Sequence, residues 1–317
     1  MTEKHGKGMR DVIPVTGLLL LCFLWSLESL RSDLLPAQFA TGLPPLEREA
    51  LHLGILAFVG WLLAGVFRAP WPRGRQVWDS VLLGLGMFVV PALFGEAAKT
   101  EIPDLTRVAL YSLAPVFAVA LEPYLGRLTE SQSKGGLLAA LGCVIGTLAV
   151  FPLMIPRTWE GAGGFFAIIL AVASVAATNC WGVRFISELP SKSGAPVASI
   201  AGASAGAMLA AASFIGEKPV WNHSGVGPEI AWTTSVELPA FLLLFWLMRR
   251  MSAVRMTTRF VVAPLIVNVV GLIALRPSMR LRAGLGIALI GISAGWLLAS
   301  HEEEAPPDPL PLKLNQS

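Results

Sequence analysis

Long apolar runs recur down the chain, separated by shorter segments rich in charge, proline and glycine. Such runs are too long for strands and lack the polar face of a soluble helix. Their length fits helices that cross a hydrocarbon core. They predict helix 1 over 12–30, helix 2 over 50–67, helix 3 over 77–95, helix 4 over 106–122 and helix 5 over 135–153. Helix 6 follows over 163–183, helix 7 over 195–215, helix 8 over 229–248, helix 9 over 258–275 and helix 10 over 283–299. Lys4, Lys7 and Arg10 precede the first run as in a signal peptide, but the run continues to about Leu30 without a small-residue cleavage site, so an uncleaved helix is expected. The tail from His301 is acidic and proline-rich with no periodic apolar face, and is expected to be disordered.

Composition supports a lipid solvent. Of 317 residues, 54% are hydrophobic and 14% charged, with a mean hydropathy of +0.65. A soluble domain carries roughly 25% charged residues. The fold class read here is therefore all-α integral membrane, with the bilayer as the first partner. The net charge of +3 is too small to imply nucleic acid. Cys22, Cys143 and Cys180 all lie in apolar stretches, an odd count without metal-ligand spacing, and read as packing residues.

Loop charge sets the orientation. With the N-terminus cytoplasmic, 15 Lys and Arg fall on the inner side and 9 on the outer, which favours both termini inside. Arg276, Arg280 and Arg282 stand against that bias. The inner count includes Arg255 and Arg259, read as loop residues ahead of helix 9.

The chain repeats itself. YSLAPVFAVALEPYLGRLT from Tyr111 aligns without a gap on FVVAPLIVNVVGLIALRPS from Phe260, at an offset of 149 residues. Ala114 meets Ala263, Pro115 meets Pro264 and Arg127 meets Arg276. The register continues through the next helix, where Gly135, Ala139, Gly142 and Gly146 meet Gly284, Ala288, Gly291 and Gly295. Trp25 resembles Trp181 at a slightly different offset. An odd number of helices per copy, five, inserts the second copy upside down. The expectation is ten transmembrane helices as two inverted five-helix repeats, with a substrate site near the midplane between them. The domains are then a cytoplasmic 1–11, a first repeat over 12–153, a second over 163–299 and a tail over 300–317.

These features together resemble the drug/metabolite transporter superfamily, in particular its EamA-type permeases. The resemblance rests on the Trp late in helix 1 (CFLWSLESL), the Ala-Pro within helices 4 and 9, and the Gly-rich helices after them (GGLLAALGCVIGTLAV and GLGIALIGISAGWLLA). It covers nearly the whole chain. It implies a secondary transporter moving a small polar metabolite across the plasma (inner) membrane by alternating access. One departure stands out. Such proteins usually carry Gly-Glu between helices 4 and 5 and between helices 9 and 10, where this chain reads LGRLT and ALRPS.

Several side chains are candidates for a site. Glu237 is the sharpest, a carboxylate near the middle of helix 8, where it costs a few kcal/mol unless paired, hydrated or protonated. Thr233 and Thr234 precede it by four and three residues and are expected on its face, against a cavity between the halves within reach of helices 1, 4, 6 or 9. A structural pairing with an arginine is the competing reading. Helix 6 offers Ser174, Thr178 and Trp181 on one stripe with Asn179 beside them, and helix 9 offers Asn268. Helix 1 ends with Trp25 and Glu28, and helix 4 opens with Arg107 and Tyr111 on one stripe with Pro115. For each of these taken singly, interhelical hydrogen bonding or interfacial anchoring explains it equally well. Pro115 and Pro264 are expected to kink their helices. Gly142-xxx-Gly146, Gly202-xxx-Gly206 and Gly291-xxx-Gly295 supply small faces for close packing, and a homodimer is one partner such faces allow.

Enzyme signatures are missing. The sequence has no Walker A motif, no Cys/His metal spacing and no His-Glu pair on one helix face, and its four histidines read as residues of helix ends or loops. No cofactor and no enzymatic activity are expected. The alternative to transport is a membrane-embedded enzyme or a non-transporting scaffold on the same body.

Overall fold

The computed structural model of the protein describes residues 3–31, 43–125, 134–151, 153–156, 158–217, 223–275 and 281–299. Every regular element among them is a helix. α1 is Glu3–Ser29, α2 Pro45–Val66 and α3 Arg75–Ala97. α4 is Asp104–Leu125, α5 Lys134–Val150, α6 Trp159–Glu188 and α7 Gly194–Gly216. α8 joins His223–Trp232 to Leu238–Met248 through a π-turn, α9 joins Ala253–Thr257 to Arg259–Leu275, and α10 is Leu281–Ala299. Among the described residues, nine spans are long and apolar enough to cross a membrane, and α5 contributes a shorter apolar stretch, Gly135–Val150. The protein is an all-α membrane protein. Arg127, Arg276, Arg280 and the tail over 300–317 lie outside the described residues.

The outer surface of the bundle is apolar. Leu20, Phe58, Trp61, Leu138, Ile145, Phe166, Leu170 and Ile292 sit in mid-helix with their side chains exposed. Contiguous exposed apolar surface on that scale requires lipid around it. Lipid gives helices no hydrophobic reason to associate, so close packing through small residues must do so. α2 packs chiefly on α7 and α5 on α10. At the second of these contacts a β-carbon on Gly146 would lie 2.9 Å from the Gly286 carbonyl oxygen, and one on Gly286 2.8 Å from that of Gly146. Gly142 and Gly202 also approach neighbouring helices closely. Gly291 and Gly295 do not: they are exposed with open space around them, and Gly286 makes the α10 contact instead. The remaining major contacts set α4 and α3 on α6, and α9 and α8 on α1.

Three interruptions shape the bundle. α4 breaks at Ser112–Leu113, just before Pro115. Proline has no N–H for the Tyr111 carbonyl four residues back, and its ring crowds that oxygen. The chain tightens there, with Leu113 N donating to Leu110 O at 3.0 Å. α9 breaks instead at Thr258, ahead of Arg259 and not at Pro264, which lies inside the continuous helix. α3 and α8 each contain a π-turn, Leu85–Val89 and Thr233–Glu237, followed by Val90-Pro91 and Leu238-Pro239. The two π-turns start 148 positions apart (Leu85 to Thr233).

Candidate functional site

A cavity of about 380 Å³ lies where α1, α3, α4, α6 and α9 meet. Helical spacing builds its walls. On α4, Asp104, Arg107, Val108 and Tyr111 recur at three and four residues and form one stripe. On α1, Trp25 and Ser29 are one turn apart, and α9 presents Arg259, Phe260, Ala263 and Pro264. Ile168 of α6 and Gly95 of α3 complete the lining.

Arg259 is the chemical centre of this cavity. Its side chain is 1% exposed, the largest side chain buried to that degree. Nη1 donates to Asn179 Oδ1 at 2.9 Å and to the Met256 carbonyl at 2.8 Å. Asn179 is held in turn, its Nδ2 donating to Val175 O at 2.6 Å. The guanidinium lies 5.1 Å from the Trp25 ring centre and 4.6 Å from that of Phe260. Tyr111 stands against Phe260 at 5.6 Å between centroids, so two rings flank the cation and a third lies against one of them. Arg107 lies at the α4 end of the cavity, bonded to Asp104 and to the Gly95 carbonyl. Arg255 and Arg259 are thus helix residues buried in the bundle, not loop charges as the spacing of helix 9 implied.

Of the residues singled out from sequence, the structure brings Trp25, Arg107 and Tyr111 to the cavity, with Asn179 directly behind Arg259. The others lie elsewhere. Thr178 donates to Ser174 O and packs on Gly86 of the α3 π-turn, where a β-carbon would lie 2.4 Å from Thr178 Oγ1. Ser174 donates to the Gly86 carbonyl at 3.1 Å, serving an oxygen in the distorted turn. Asn268 bonds the Pro264 carbonyl of its own helix. Trp181 stacks on Phe185.

Glu237 is buried, 5% exposed, but does not line the described cavity. Its π-turn packs against α1 and α2. Thr233 is buried beside it, whereas Thr234 is exposed and bonds its own backbone at Ile230 and Ala231. The expected common face for all three fails because the π-turn is wider than an α-turn. Leu238 N donates to Thr233 O five residues back, which rotates Thr234 away from Glu237.

A second polar cluster joins the C-terminal end of α1 to the first turns of α2 and α8. Arg31 donates from Nη1 and Nη2 to the two oxygens of Glu229, both at 2.8 Å. His52 Nε2 lies 2.6 Å from Glu229 Oε1. Trp232 Nε1 donates to Glu28, and Arg31 lies 5.0 Å over the Trp232 ring. His52 and Glu229 are fully buried, so His52 is an interior residue and a His-Glu pair does form, between helices. Sequence reading missed this pair, as it missed Arg259. The available signal was three titratable residues near the ends of three spans on one side of the membrane. No group of three His, Cys, Asp or Glu able to hold a metal occurs among the described residues.

No family model and no curated protein matches the chain. A solved structure does. It is described as "Crystal structure of protein", and the match covers 92% of this chain and 98% of that one, with a TM-score of 0.71 and 21% identity. The fold is therefore one seen in a solved protein over nearly its whole length. At that identity the likeness is one of fold.

Proposed function

We propose that this membrane protein is a secondary transporter of the drug/metabolite type, an EamA-like permease. It takes a small polar metabolite into the cavity and releases it on the other side by alternating access between two inverted five-helix repeats. The observation that carries the reading is the meeting of Tyr111 and Phe260 across the cavity at 5.6 Å. These two positions are equivalent in the 149-residue repeat. Equivalent residues meet each other only near the axis that relates the copies, so the cavity sits where two repeats would pivot.

The packing supports the same reading. Under the pairing of α1 with α6 through α5 with α10, the contact of α4 on α6 becomes that of α9 on α1, and α3 on α6 becomes α8 on α1. α2 on α7 and α5 on α10 map onto themselves. The two π-turns, 148 positions apart (Leu85 to Thr233), extend the repeat to α3 and α8. Such a body has ten helices with both termini cytoplasmic, sits in the plasma membrane and does no covalent chemistry on its cargo.

The test is exchange of labelled metabolites by the purified protein in liposomes. At least one small metabolite is expected to exchange saturably, and Tyr111→Ala is expected to abolish the exchange while the protein remains folded. A correctly folded protein that exchanges no member of a broad panel of amino acids, organic acids, amines and nucleosides would overturn the reading.

A further inference from the structure

We infer that Arg259 makes the cavity a receptor for a single carboxylate, so that the cargo is a small organic monoanion with an aromatic or apolar body. That this anion is carried across the membrane rests on the transport reading above, whereas its binding rests on the geometry around Arg259.

A cation buried to 1% exposure needs an opposite charge, or many polar partners, to offset the loss of water. Arg259 forms no ion pair among the described residues. Its acceptors are an amide oxygen and a backbone carbonyl, both taken by Nη1, and its buried Nε has no hydrogen-bond partner. These neutral contacts orient the guanidinium without neutralising it. The Nε–Nη2 edge of the planar fork is thus left without an acceptor from the described residues, and once the surrounding rings part to admit a ligand, that edge matches the two oxygens of a carboxylate.

The rest of the lining narrows the class. Arg107 and Asp104 are bonded to each other, so their charges cancel and Arg259 supplies the net charge of the cavity. One negative charge balances it. A phosphate monoester or a dicarboxylate would bring a second charge against Trp25, Tyr111, Phe260 and Ile168, which offer it little. A neutral ligand leaves Arg259 uncompensated, and a cation adds repulsion. The three rings suit a planar apolar body stacked or set edge-on against them. At about 30 Å³ per water-sized unit, the volume holds about a dozen non-hydrogen atoms.

The experiment measures equilibrium binding to the full-length protein in detergent, using benzoate, phenylacetate and indole-3-acetate as probes. Benzamide, phenylacetamide and phenyl phosphate are the neutral and doubly charged comparators. At least one of the three carboxylates is expected to bind about tenfold or more tighter than its amide and than phenyl phosphate. Arg259→Gln is expected to weaken that binding about tenfold to a hundredfold, and Arg259→Lys less. If Arg259→Gln does not fold, the discrimination between acid and amide by the unaltered protein decides. The inference is overturned if no carboxylate binds, if amides bind as tightly as acids, or if a folded Arg259→Gln variant binds the acid unchanged. The same probes in liposomes separate the two claims. Carboxylates that bind in this pattern, while neither they nor any member of the metabolite panel is exchanged, sink the transport reading alone. Exchange confined to neutral or cationic metabolites sinks this inference alone.

Discussion

Glu229 holds partners on both carboxylate oxygens, Arg31 on each and His52 on one, in a site closed to solvent. Neutralising Glu229 leaves Arg31 with only the looser Glu28 contact at 4.0 Å and the Trp232 ring, so the loss should fall toward or below the lower end of the roughly 3–5 kcal/mol for breaking a buried pair. Glu229→Gln is accordingly expected to lower the thermal melting point of the detergent-purified protein markedly. The double change Arg31→Met with Glu229→Leu, which removes both charges, should recover most of that loss. A single variant melting with the unaltered protein would refute the account of this cluster. Placement makes a second forecast. Glu237 lies off the cavity, so Glu237→Gln should leave ligand affinity within about twofold, while Tyr111→Ala removes an aromatic wall and should weaken it about tenfold. Titration of one cavity ligand against both variants checks this. Glu237 was conspicuous in the sequence because a mid-span carboxylate is rare. Arg31, His52 and Arg259 were not, because charge near the end of a span reads as interfacial. Only the packing of other helices over those ends buries them.

At the scale of elements, close approach of small residues governs stability. A β-carbon on Gly84 of α3 would lie 2.3 Å from the Ala201 carbonyl of α7, a distance that backbone cannot yield cheaply. Gly84→Val should therefore lower the melting point, whereas Gly295→Ala, with open space around it, should leave it unchanged or raise it through better helix propensity. Equal effects at the two sites would contradict the packing described. The ten apolar runs were legible in composition alone because each of them must satisfy its backbone inside lipid. The small-residue faces were half legible. The motif marks Gly142, Gly146 and Gly202 correctly but also marks Gly291 and Gly295, which touch nothing. The prolines that follow the π-turns, Pro91 and Pro239, mark a weak point in the helix ladder but do not by themselves specify a π-turn. The Gly86 carbonyl in one of these turns is served by Ser174 of another helix, a tertiary fact.

At the scale of the whole molecule, packing converges on α1, which carries α8 and α9, and on α6, which carries α3 and α4. The 149-residue sequence match was legible from Tyr111 and Phe260 onward because the two segments share Ala-Pro and the same spacing of glycines. The side chain that gives the cavity its charge was not, since Arg259 faces no equivalent arginine across the repeat: its counterpart at the 149-residue offset is Leu110. An orientation reporter fused after Ala299 is expected to report the same side as one at the N-terminus, and opposite sides would contradict an even number of spans. Alternating access itself is tested most directly by a cysteine at Ala263, a small residue of the cavity wall. It is placed in a background in which Cys22, Cys143 and Cys180, all buried, are replaced by alanine. A membrane-impermeant thiol reagent is then applied to sealed, oriented vesicles from either face. Labelling of Ala263→Cys from both faces, in vesicles that stay impermeable to the reagent, is the predicted result; labelling from one face only would contradict the account.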